Sequence, residues 1–128
     1  MPLARFHTIR TNIDTLLGEN LGIRQVLPKS NYREGQHAMA HLVAGTINEQ
    51  KTLVIEAPTG SGKSMGLGIP AACILESNPN KAFIWSTGSK ALQAQILNKN
   101  LPYLNLMFPN ITYAVLYGRE SYFSLEAL

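Results

Sequence analysis

Cysteine is nearly absent. Cys73 stands alone, which excludes an internal disulfide and any metal or cluster site built only from thiolates of this chain. A reducing, cytoplasmic setting is the expectation that goes with this. Aspartate is equally scarce: Asp14 is the only one, so the chain carries no Asp-Glu pair. Long apolar runs are missing as well. The longest, residues 65–75, is broken by glycine and proline and is too short to cross a bilayer. The first residues, Met1-Pro-Leu-Ala-Arg-Phe-His7, lack the apolar centre of a secretory signal, so no membrane is expected as a partner. There is no internal repeat, no low-complexity tract and no block of like charge. The eleven Lys and Arg residues are scattered, and the formal net charge of +3 permits nucleic-acid binding without demonstrating it.

What is present is more specific. The 128 residues, 45% of them apolar, suffice for one domain or for part of a larger enzyme, and they argue against wholesale disorder. The pivot is the stretch 57–64, Ala-Pro-Thr-Gly-Ser-Gly-Lys-Ser, which fits the phosphate-loop pattern with alanine in place of its first glycine. Small residues suit the chemistry, because backbone N–H groups must close around phosphate oxygens where a Cβ would intrude. An apolar run, Thr52-Leu-Val-Ile55, precedes the loop and a helix-compatible segment follows from Lys63. The expected nucleotide-binding residues are Thr59, Gly60, Ser61, Gly62, Lys63 and Ser64. Lys63 is the expected catalytic residue, a point charge on the β- and γ-phosphates, and the Ser64 hydroxyl is the expected Mg²⁺ ligand. An ordinary glycine-rich turn is the competing reading.

Around this pivot, helices are expected at residues 4–17, 33–49, 63–77 and 90–100, with Pro70 kinking or shortening the third. Short strands are expected at 53–55, 81–85 and 112–117, alternating with the helices. That order implies an α/β fold with parallel strands, right-handed crossovers and flanking helices. Cys73, among Ile69, Ile74 and Leu75, reads as a small buried apolar side chain.

Three further segments carry a resemblance to a known family. Tyr32-Arg-Glu-Gly-Gln36-His-Ala-Met39 resembles the adenine-reading segment of superfamily 2 helicases, in particular the DinG and XPD branch. Gln36 would read the adenine edge through an amide that both donates and accepts, while Tyr32 or Arg33 would cover the base face. Ser86-Thr87-Gly88-Ser89-Lys90, followed by Gln93, looks like the motif with which that branch touches a single strand. The resemblance therefore implies Thr87, Gly88, Ser89 and Gln93 as contacts to single-stranded DNA. Tyr117-Gly118-Arg119-Glu-Ser-Tyr122-Phe123-Ser124 is similar to the place where DinG-type enzymes carry the first cysteine ligand of an iron–sulfur cluster. Here that position is Ser124, and a hydroxyl is a poor substitute for a thiolate. The departure points to the CRISPR-associated DinG helicases of type IV systems, which lack the cluster.

The resemblance implies an incomplete RecA-like domain of the phosphate-loop class. Residues 1–31 are then an N-terminal helical accessory segment, and residues 32–128 the front portion of the first motor domain of a longer protein. It implies ATP and Mg²⁺, no iron–sulfur cluster, and 5′-to-3′ DNA helicase activity. Single-stranded DNA and a CRISPR ribonucleoprotein complex are the partners it suggests. Two alternatives stand beside it: a different phosphate-loop NTPase, such as a clamp loader or kinase, and a non-catalytic nucleotide- or partner-binding module. The Asp-Glu pair that an ATPase needs to hold Mg²⁺ and position water does not occur in these residues, and the second motor domain is not among them, so the fragment alone is expected to be inactive.

Overall fold

Phe6, Ile9, Ile13, Leu16 and Leu17 recur at helical spacing, and a computed structural model, which describes residues 2–122, forms α1 there, over Phe6–Leu17. Ile9, Ile13 and Leu17 are buried. The helix stops at Gly18, whose N–H donates to the Asp14 carbonyl. The connection that follows makes one 3₁₀ turn, Gly22–Gln25, which buries Ile23. α2 then runs over Glu34–Asn48 and buries Ala40, Val43 and Ala44. Leu42 of this helix, although apolar, is 54% exposed.

α3, Lys63–Ser77, is buried almost all round from Met65 to Ile74. It continues through Pro70 rather than ending there. Cys73 is fully buried, as its neighbours suggest. Asn78 closes the helix by donating to the Ile74 carbonyl at 2.9 Å, and its side-chain oxygen accepts from the Ala4 N–H at 3.0 Å. One residue thus ties the end of α3 to the start of the chain. α4, Lys90–Gln95, passes through a π-helical turn at Ile96–Asn100 into α5, Leu101–Met107. The core lies where α1, α2 and α3 pack on one another, and Leu104 and Phe108 reach it from the α5 end. No helix among the described residues is long and apolar enough to cross a membrane.

The α/β expectation is corrected. Among the described residues there is no strand, and five α-helices with short 3₁₀ and π turns make up all the regular structure. The segments expected as strands, 53–55, 81–85 and 112–117, are present as chain without regular structure. Among the described residues the backbone hydrogen bonds found outside the helices close local turns, and none joins two of these segments. The reason is physical: a strand satisfies its N–H and C=O groups only through a neighbour at roughly 4.8 Å. Among the described residues none of these segments has such a backbone partner. A cavity of about 880 Å³ lies between residues 81–90, residues 111–118 and the outer side of α3. Val54 is 91% and Ile84 90% exposed, so their apolar character selects no partner among the described residues.

Candidate nucleotide site

The loop 57–64 turns the chain from segment 52–56 into α3. Gly60 and Gly62 hold φ values of +80° and +83°, a region that glycine enters without a steric cost and other residues rarely do. Gly62 is the N-cap of α3, which makes Lys63 and Ser64 its first two residues. The opening turn of a helix has N–H groups with no intrahelical partner, and the dipole adds partial positive charge there. Lys63 is exposed and Ser64 half-buried. The Ser61 hydroxyl oxygen is enclosed and has no hydrogen-bond partner. Left-handed glycines, an open helix start and an orphaned hydroxyl fit a phosphate group.

The start of α2 reaches into this loop. The Arg33 guanidinium donates to the Gly60 carbonyl at 2.7 Å, and the Gln36 amide donates to the Gly62 carbonyl at 2.9 Å. A Cβ at position 62 would stand 2.2 Å from Gln36 Nε2. Glycine is therefore favoured there by φ, and a Cβ would also displace the Gln36 side chain from the loop. The structure brings Arg33 and Gln36, which spacing alone separates from the loop, against residues 60–62. In this arrangement one N–H of the Gln36 amide is engaged by the loop backbone, and the second N–H and the oxygen are the groups that can face a base edge.

Thr87, Gly88, Ser89 and Gln93 gather elsewhere, along the 880 Å³ groove, whose lining does not include the phosphate loop. Ser89 caps α4, its Oγ accepting from the Leu92 N–H at 3.2 Å. The Thr87 hydroxyl donates to the Ser89 carbonyl at 3.2 Å, and the Gln93 amide donates to the Leu116 carbonyl at 3.1 Å. Gln93 thereby fastens segment 111–118 to α4. Gly88 is exposed. Ser124 lies outside the described residues.

One cluster beside α2 is not evident in full from sequence spacing. His37 and His41 both approach the Asp14 carboxylate of α1. Their spacing of one helical turn was a readable signal; the aspartate completing the group was not, because only the packing of α1 on α2 supplies it.

Known proteins resemble the chain in sequence. The DEAD/DEAH box helicase family matches residues 34–126. The 3′-5′ exonuclease DinG of Bacillus subtilis is 38% identical over 109 residues, covering 84% of this chain and 12% of that protein. The ATP-dependent DNA helicases DinG of Salmonella typhimurium and Escherichia coli K12 are each 35% identical over 100 residues, 78% of this chain and 14% of theirs. The chain thus spans 12–14% of the length of these relatives. No solved structure matches it.

Proposed function

We propose, from the premise that this chain belongs to the DEAD/DEAH box helicase family, that it is the nucleotide-gripping part of a DinG-type, ATP-dependent DNA helicase. The observation that carries this reading is the loop geometry: Gly60 and Gly62 in the left-handed region, opening α3 at Lys63. Residues 59–64 bind the phosphates through backbone N–H groups, and Lys63 neutralises their charge. Ser64 is the residue to hold Mg²⁺, which when bound supplies charge neutralisation across the phosphate oxygens. Gln36 reads the adenine edge, and Arg33 holds the loop and adds positive charge beside the phosphates. Thr87, Gly88, Ser89 and Gln93 offer hydroxyls, an amide and the start of α4 to the backbone of single-stranded DNA. Residues 1–31 are the accessory segment of this motor portion, residues 32–128. Cytoplasmic work in the 5′-to-3′ direction completes the proposal.

The finer assignment, to a CRISPR-associated helicase without an iron–sulfur cluster, rests on Ser124 in place of cysteine. Stoichiometric iron in the anaerobically purified intact protein overturns that part alone.

The main test is Lys63→Ala in the intact protein. Loss of a charge-assisted contact costs about 1.5–3 kcal/mol in binding, and DNA-stimulated ATP turnover falls to background. Since Lys63 is exposed, the variant keeps the wild-type circular dichroism and melting temperature. Undiminished turnover in a folded variant rejects the motor reading and leaves a partner-binding module.

A further inference from the structure

Two of the three histidines and the sole aspartate of the chain meet where α1 packs on α2. His37 and His41 are one turn apart on α2, so both rings leave the same face of that helix. Asp14 comes from α1. The Nε2 atoms of His37 and His41 lie 2.7 and 2.6 Å from one oxygen, Asp14 Oδ1. The two rings stand edge to face with centroids 5.0 Å apart, and all three donor atoms fall within 4.8 Å of one another. Hydrogen bonds from His41 first and His37 second hold the Asp14 carboxyl below its ordinary value of 3.8, so it is a carboxylate at neutral pH.

Two imidazoles sharing a single carboxylate oxygen is a crowded arrangement if hydrogen bonding is its only purpose. His41 Nδ1 is enclosed and without a partner, so this ring meets other groups only through Nε2. Two imidazole nitrogens and a carboxylate are the donor set of borderline transition metals, whereas Ca²⁺ and Mg²⁺ prefer oxygen alone. We propose that Asp14, His37 and His41 hold one divalent transition-metal ion, zinc foremost, which bridges α1 and α2. Metal–ligand distances of about 2.0–2.2 Å put tetrahedral ligands roughly 3.3 Å apart. The carboxylate therefore withdraws by less than about 1 Å from its hydrogen-bonded position. Asp14 is free to do so, with a side chain 58% exposed against 23% and 24% for the histidines. Three protein ligands leave the fourth position to water, reached from the Asp14 side.

Such an ion acts on the phosphate loop indirectly. α2 carries the ligands His37 and His41 and also Arg33 and Gln36, which grip Gly60 and Gly62. Occupancy fastens α1 to the helix that holds the loop, and it stabilises the folded form by mass action.

The test is a titration of the intact protein, stripped with a chelator, using Zn²⁺ and then Co²⁺ as a spectroscopic probe. Wild type is expected to bind one equivalent more than His37→Gln/His41→Gln, to melt at a higher temperature with Zn²⁺, and to give Co²⁺ ligand-field absorption. Asp14→Asn, at an exposed position, keeps the comparison valid should the double variant fail to fold. Its expected loss of affinity is more than about 100-fold, beyond what losing an outer-shell partner costs. Equal metal stoichiometry and equal thermal shifts in wild type and folded Asp14→Asn overturn the proposal and leave a hydrogen-bonded latch between the helices.

Discussion

The helices α1, α2 and α3 enclose most of their apolar side chains, whereas the irregular segments 52–57, 81–87 and 111–118 leave much of theirs in solvent. Ile9, Ile13 and Ile69 have no exposed surface, while Val54, Ile84 and Leu116 are 84–91% exposed. The residue types are alike, so hydrophobicity does not explain the contrast. Hydrogen bonding does. A helix satisfies its own backbone and needs only one apolar stripe covered. An extended segment needs a neighbour for its backbone before its side chains have a face to share. Among the described residues the first requirement is met locally and the second is not.

The comparison makes three predictions, and the largest effect should come from the enclosed half. Ile69→Ala is expected to lower unfolding stability by about 2–5 kcal/mol, the range for truncating a packed core side chain. Chemical denaturation of the protein that carries the chain measures this. A loss below about 0.5 kcal/mol, as at a surface position, would erase the distinction between the two regions.

The next effect concerns Cys73, in the middle of α3. Burial pushes its thiol up to about 12 from an ordinary value of 9.0, with the nearby Glu76 charge adding to the rise. The folded state therefore keeps this proton when the unfolded state has lost it. The stabilisation is complete below about pH 9 and declines above it, by at most about 1.4 kcal/mol per pH unit. Cys73→Ala should flatten that part of the stability profile. In the native protein the thiol should also resist aromatic disulfide reagents at pH 8 and react only after denaturation. Rapid native labelling would place Cys73 in an open region.

The smallest effect is expected at Ile84. Ile84→Ser removes a side chain that is 90% exposed, so stability should move by no more than about 0.5 kcal/mol. A cost comparable with that of Ile69→Ala would mean that segment 81–87 is covered in the working protein. The contrast between the two regions would then belong to the chain alone.

The helices were legible because their signal is local. The run Phe6–Leu17, the Gly18 stop, the end of α3 at Ser77 and the Ser89 cap all follow from residues a few positions apart. The three supposed strands failed as a prediction for the same reason reversed. Alternating and β-branched residues report a preference for extended chain, and that preference contains no information on whether a partner lies alongside. The π turn at Ile96–Asn100 also left no mark in the apolar spacing, which reads simply as helix.

At the nucleotide site the division is similar. The order Gly60-Ser-Gly-Lys-Ser64 by itself determined a loop with left-handed glycines opening onto a helix, because backbone sterics act within a few residues. Only the tertiary structure decided that Arg33 and Gln36 hold the carbonyls of Gly60 and Gly62. It alone brought Asp14 to His37 and His41 across gaps of 23 and 27 residues. Periodicity says which face of a helix is apolar. Which other helix covers that face, and so which polar residues meet at its rim, depends on how the core packs once α1, α2 and α3 come together.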